Sequence, residues 1–231
     1  KAKFFYENRS EAWNGLLASH KNIDKAIKIL ELDIQNEKYE IESIIYLLRS
    51  YYFRGEYTTT DIQEKKIYFE KGKKLGLKVI NDFPENIDFR YWYLANLGGW
   101  AKVYGILIAA REGISDQMKI HGDKIIQLDP QYRDGGGYFL LGAVHFKSPY
   151  IPFILPWPNN NDAIKFLKLA VQTGKPLLNQ MNYLAQALHK DGQVDKAKGI
   201  LMDVINSTPN HLNIIEDLNY IKQAEDLLKG M

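Results

Sequence analysis

The chain has 231 residues, 45% hydrophobic and 25% charged, a balance that supports a packed core and excludes a disordered polypeptide. Thirty Lys and Arg against 28 Asp and Glu leave a formal charge of +2, too even for the broad basic footprint of a nucleic-acid binder. The absence of cysteine excludes disulfides, thiolate metal sites and cysteine nucleophiles, and no apolar run approaches the length of a membrane-spanning helix.

Helical periodicity is nearly continuous, and strand signals are scarce. Residues 11–20, EAWNGLLASH, are expected to form a first helix. It would pair with residues 23–34, where Ala26, Ile27, Leu30 and Ile34 share one face. Residues 39–57 and 62–80 read as a second pair. The latter turns its lysines to solvent and carries Ile67, Tyr68, Val79 and Ile80 inward. Further helices follow at residues 90–107, RYWYLANLGGWAKVYGIL, and around IIQLDP at 125–130.

The DGGG at 134–137 opens another helix. A phosphate loop would need Lys-Ser or Lys-Thr after the glycines and a strand before them, and this segment has neither. The glycines are read instead as letting the helix begin tightly against a neighbour. Residues 161–170, 177–190 and 195–206 complete the helical series. Asp191-Gly192 forms a turn between the last two, and a final helix at about 212–229 caps the array.

Pro84, Pro130, Pro176 and Pro209 each close a helix, at spacings of 46, 46 and 33 residues. The last spacing is close to the tetratricopeptide period of about 34, and the longer ones fit the same unit with insertions. The pairs Leu97-Gly98, Leu141-Gly142 and Leu184-Ala185 recur in first helices. Glycine in a helix costs about 0.5–1 kcal/mol against alanine, so its repetition implies close helix approach. The sequence therefore predicts an all-α, tetratricopeptide-like helical-repeat solenoid of about five helix pairs plus a C-terminal capping helix. It is read as a single domain over residues 1–231.

One segment departs from this plan. SPYIPFILPWPNNN, at about residues 148–161, holds four of the eight prolines among large apolar side chains. It is an insertion between two helices of one repeat, and the Asn-rich cluster at 159–162 supplies the N-cap of the next helix. Two readings remain open: a lid or wall beside a groove, or aromatic side chains that simply fill core.

In tetratricopeptide arrays the first helix of each pair lines the concave side. Its open positions here would be Trp92, Ala95, Gly99 and Lys102; then Gly136, Phe139, Ala143 and Phe146; then Asn179, Asn182, Gln186 and His189. The groove would be aromatic centrally and polar toward the C-terminus. Phe153 and Trp157 of the insertion would border it. The histidines show no metal-binding spacing, and no nucleophile, base and orienter stand at a recognisable spacing. No catalytic residue, metal or cofactor is therefore assigned. His145 and His189 read as packed or surface residues.

The passages 90–107, 125–146 and the prolines followed by NDAIKFLKLAV resemble the tetratricopeptide-like T-component proteins associated with bacterial TRAP transporters. The likeness covers about residues 44–228. The regulator-of-microtubule-dynamics proteins are similar at greater distance. The resemblance implies an extracytoplasmic, periplasmic, lipid-anchored protein with an apolar channel. It would engage a transporter's substrate-binding protein and could form a homo-oligomer. A lipid-bearing cysteine would have to lie upstream of Lys1. On this resemblance, Tyr91, Trp92, Trp100, Phe139 and Phe146 would line the channel or groove for an apolar ligand or lipid. The residues themselves also admit a tetratricopeptide scaffold with no small-molecule ligand, in the cytoplasm or outside it, for which Asn182, Gln186 and His189 are the partner-binding candidates.

Overall fold

The computed structural model describes residues 1–36 and 40–231. Its architecture is all-α, with a single two-stranded ribbon among the described residues. The described residues fall into two compact units, taken here one at a time. The first comprises Lys1–Gly105 with Leu212–Ile215, and the second Ile106–His211 with Glu216–Met231.

In the first unit, α1 (Ala2–Glu7) is followed by a hairpin and by α2 (His20–Gln35). Next come α3 (Ile41–Tyr57), α4 (Ile62–Asp82) and α5 (Ile87–Tyr104). The expected helix at 11–20 is not formed. Strands β1 (Trp13–Asn14) and β2 (Leu17–Ala18) pair there in antiparallel register, Trp13 opposite Ala18 and Asn14 opposite Leu17. Gly15 has φ +59° at the first loop position, which glycine adopts without a Cβ penalty. The role of first helix passes to α1. Tyr39, placed at the start of the next predicted helix, lies outside the described residues.

Helices α3, α4 and α5 pack closely because glycines face large side chains. A Cβ on Gly76 would stand 2.7 Å from the Tyr93 ring, and one on Gly72 2.1 Å from the Asn96 amide. Asn96, fully buried, donates to the carbonyls of Leu48 (3.0 Å) and Trp92 (2.8 Å) and so ties α5 to α3. Tyr93 is wholly buried, and burial pushes its phenol up to about 12. In α4, Tyr68 is half-buried and Val79 and Ile80 are buried as expected, but Ile67 is exposed. Asp61 caps α4, accepting from the Gln63 and Glu64 amides.

The second unit holds α6 (Ile106–Arg111), α7 (Ile114–Leu128), α8 (Tyr132–Lys147), α9 (Asn160–Gln172), α10 (Leu178–Lys190), α11 (Val194–Ile205) and most of α12 (Ile214–Lys229). The break between α5 and α6 falls at Gly105, φ +96°, so 90–107 is not one uninterrupted helix. Each predicted stop holds: Pro84, Pro130, Pro176 and Pro209 follow the ends of α4, α7, α9 and α11.

Inside the first turn of α8 the backbone of Arg133, Asp134 and Gly135 is left-handed, at φ +48°, +54° and +82°, so the regular helix begins after Gly135. The glycines of this segment do permit close approach. A Cβ on Gly137 would lie 2.8 Å from Ile126 of α7, and one on Gly142 2.5 Å from Leu167 of α9. The core of α9, α10 and α11 is built from Ala163, Leu167, Leu184, Leu188, Leu201 and Val204, joined by Ala224 of α12. These positions recur at three- and four-residue steps, as the sequence pattern requires.

Candidate functional site

The first helices of the pairs are α1, α3 and α5 in the first unit, and α8 and α10 in the second. Their side chains are where an interaction face would be built. In the first unit, Arg49 of α3 rises between rings from three helices. Its guanidinium carbon lies 4.6 Å from the ring centre of Tyr6 (α1), 5.1 Å from Tyr46 (α3) and 5.3 Å from Trp92 (α5). Each ring presents its electron-rich face to the cation. The Arg49 Nε is buried without a hydrogen-bond partner. The guanidinium makes no ion pair among the described residues, and the side chain is only partly buried. Arg9 stacks on the same Tyr6 ring at 4.7 Å and donates to the Leu212 carbonyl and the Asn213 side chain. The site is therefore cationic and aromatic-walled, and no carboxylate among the described residues sits on Arg49.

The sequence candidates of this unit are dispersed around it. Trp92 is buried at 8% exposure and serves as a wall of the Arg49 site. Tyr91, half-buried, makes an edge contact with the Trp92 ring at 5.4 Å. Trp100 is buried and stacked on Tyr104 at 4.3 Å, and its indole nitrogen donates to Glu70. Gly99 is buried under Phe69. The expectation that these first-helix positions stand open thus fails for Trp92 and Gly99, and Trp100, a channel candidate from the resemblance, is packed away as well. The α3–α5 packing, tightened by the glycines, closes over them. Lys102 is exposed and paired with Glu56 at 2.6 Å.

In the second unit, Phe139 and Phe146 of α8 are brought together by Tyr183 of α10. The ring centres lie 5.3 Å and 6.2 Å from it, in edge-to-face geometry. Lys147 stands 4.7 Å over Phe146 and 5.2 Å over Tyr183, and Lys190 stands 5.6 Å over Phe146. Lys147 also donates to Gln186 at 3.2 Å, and Gln186 donates to the Asn182 carbonyl. Phe139, Phe146 and Gln186 thus share one half-buried patch. Asn182 does not face it: the side chain is fully buried and donates to the Tyr220 carbonyl (2.7 Å) and to Gln223, stitching α10 to α12. His189 is exposed near the end of α10.

The insertion is anchored at its base and projecting at its tip. Ser148 Oγ lies 2.8 Å from Ser115 Oγ, and the Trp157 indole donates to Asp116 at 2.7 Å. Trp157 meets the His145 ring edge-on at 4.9 Å, while Leu155 and Pro158 are buried. His145 is buried, and burial pushes its imidazole below the ordinary value. At the tip, paired backbone bonds between Ile151 and Leu155 close a turn with Pro152 second and Phe153 third. Phe153 has φ +64° and is fully exposed. Lid and core were the two expectations. The base is packing, and the tip neither covers the helices nor enters the core.

Sequence reasoning missed Arg49, Tyr6, Tyr46 and Tyr183. The signal lay in YLLRSYY, where Arg49 follows Tyr46 by three residues within a run of apolar and aromatic side chains. Two shallow concavities border the hairpin and its flanks, one lined by Ala12, Trp13, Asn14, Leu17, Ala18 and Ser19, and neither includes a candidate aromatic. Among the described residues no cluster of His, Asp and Glu could hold a metal ion, and no helix is long and apolar enough to cross a membrane.

No protein-family model and no curated protein matches the chain. A solved structure does: the crystal structure of a thermophilic TPR protein from Thermus thermophilus. It is 16% identical, with a TM-score of 0.62 over 90% of this chain and 92% of that one. At that identity the likeness shows the fold, an all-α helical repeat of the tetratricopeptide kind.

Proposed function

We propose that the chain is a non-enzymatic protein-interaction module whose first-helix faces receive partner segments carrying acidic and apolar side chains together. The fold supports protein partners in general. The observation that carries the finer reading is Arg49, held among Tyr6, Tyr46 and Trp92 with no carboxylate among the described residues on its guanidinium. A guanidinium braced by rings is pre-oriented for a carboxylate, and the rings offer area to an apolar neighbour. The Phe146–Tyr183 patch under Lys147 and Lys190 has the same chemistry and supports the same reading. An apolar small-molecule ligand has less support, because the aromatics proposed to line its channel are divided between buried packing and these cationic patches.

The sequence resemblance nominates a TRAP-transporter substrate-binding protein, in an extracytoplasmic setting, as the first partner to test. The experiment is fluorescence anisotropy of labelled peptides that alternate Leu and Glu, beside calorimetry with such a binding protein. Micromolar binding that weakens at least tenfold in Arg49→Met and in Lys190→Gln is expected. Binding unchanged in both variants would refute the assignment of these faces.

A further inference from the structure

The C-terminal helix α12 lies where the sequence expects a partner. Asn182 is one of the first-helix positions that should stand open, and it is fully buried against α12. Its amide nitrogen donates to the Tyr220 carbonyl (2.7 Å) and to the Gln223 side chain (3.2 Å). Its amide oxygen is buried with no donor among the described residues. The reason is geometric. A helix spends its backbone N–H groups on its own carbonyls, so α12 offers Asn182 acceptors and no backbone donor. A segment in extended form offers both.

The seating of α12 is also unlike that of a cap with one wet side. From Ile214 to Lys222, nine consecutive residues, none is exposed, so about two and a half turns have no solvent face. Yet this stretch reads IIEDLNYIK, with three charged residues that a surface helix would turn to water. In the second unit the backbone of α12 reaches neither α10 nor α11 with the close approach that joins those two to each other. Side chains bridge the gap, with Ala224, Ile221 and Leu227 meeting the core of α9, α10 and α11.

The helix carries the chemistry assigned above to partner segments. Ile214 and Ile215 precede Glu216 and Asp217, two apolar side chains beside two acidic ones. Within the first unit, Ile215 packs in the cluster that contains Tyr6, and Arg9, stacked on Tyr6, donates to the Leu212 carbonyl and the Asn213 side chain. Within the second unit, Asn182 lies one helical turn from Gln186, which accepts from Lys147 beside the Phe146 and Tyr183 rings. A segment that crosses those rings along α10 therefore meets α12.

We infer that α12 is a built-in occupant of the α10 face, a latch over residues 216–229 that an extended partner segment with acidic and apolar side chains displaces. The inference rests on the partner reading of the first-helix faces. Displacement gives the Asn182 oxygen the donor it lacks in the closed chain, and apolar side chains of the partner take the place of Ile221 and Leu227. The closed fraction lowers the apparent affinity of the face for any partner.

Two measurements on the full chain test this. Hydrogen exchange read by mass spectrometry should show α12 opening while α10 and α11 stay protected. Residues 216–229 should exchange at least about threefold faster once the chain is saturated with the alternating Leu-Glu peptide. Gln223→Ala removes one acceptor from Asn182 at an exposed position. It should bind that peptide about three- to tenfold tighter in fluorescence anisotropy and leave exchange in α10 and α11 unchanged. If α12 exchanges only in step with α10 and α11, or keeps its protection while the peptide is bound, it is a fixed part of the fold. The inference then falls and the partner reading stands. Equal peptide affinity in the wild type and Gln223→Ala has the same meaning. A peptide that binds neither chain, while α12 opens alone, refutes the partner reading and the latch with it.

Discussion

Phe69 of α4 lies directly under Gly99 of α5, where a Cβ would come within 2.3 Å of its ring, and a Cβ on Gly55 of α3 would come within 3.0 Å of the same ring. The ring occupies the space that two missing side chains leave. Gly99→Ala is therefore expected to destabilise the first unit by about 1–3 kcal/mol through overpacking, despite a gain of up to about 1 kcal/mol in helix propensity. Denaturant midpoints measure this. Phe69→Leu in the same chain should restore part of the loss. A stabilising Gly99→Ala would show that the ring moves freely.

Phe153 and Trp157 sit in one loop but should behave oppositely. Phe153→Gly removes a left-handed non-glycine residue, whose strain is about 1–2 kcal/mol, and loses no packing. Stability should stay level or rise by up to about 1 kcal/mol, since glycine adds freedom to the unfolded chain. Trp157→Phe gives up the bond to Asp116 and should lower stability by about 1 kcal/mol. Thermal melts followed by circular dichroism separate the two, and equal losses would refute the division into base and tip.

His145 gives the second unit a pH dependence. Its imidazole is held below the ordinary value chiefly by burial; Lys119 pushes the same way, while Asp162 and Asp123 oppose. The Asn159 amide donates to its Nδ1 at 3.4 Å, which requires the neutral ring. The unfolded chain, with its higher imidazole pKa, takes up the proton first. Stability is thus full above about 6.5 and falls as pH drops below that value toward the lowered native pKa. Melting temperature should decline from pH 7.5 to pH 5, and His145→Gln should flatten the part of the decline nearest neutrality. An identical profile in that variant would place the dependence elsewhere.

Arg49 should matter more to partners than to folding. Arg49→Met loses cation–π contacts worth about 0.5–2 kcal/mol but also removes a buried Nε that lacks a partner, a penalty of about 1–3 kcal/mol. The net change in stability should be within about 1 kcal/mol by urea unfolding. A loss of several kcal/mol would make Arg49 a structural residue.

The helical plan was readable because it rests on local rules. Proline stops after α4, α7, α9 and α11, the three- and four-residue steps of α10 and α11, and the Asn159 cap each act within a few residues. The hairpin at Trp13–Ala18 was missed because EAWNGLLASH is apolar enough to pass as a helix. The Asn-Gly inside it is the stronger local signal and should have outweighed the periodicity. The candidate faces were less legible. Whether Trp92 meets solvent depends on how closely neighbouring helices approach, and Gly72, Gly76 and Gly99 set that distance through partners far away in sequence. Tyr6, Tyr46 and Trp92 converge on Arg49 from three separate helices, a meeting that no spacing within one segment announces.

The left-handed residues Arg133–Gly135 act as a reversed screw thread inside the first turn of α8, between Tyr132 and the helical body that follows. Right-handed winding that begins in the body of α8 cannot run through it, so loosening of Tyr132 and the loop before it does not unzip the helix. Hydrogen exchange is expected to step sharply at Gly135 instead of grading smoothly along α8.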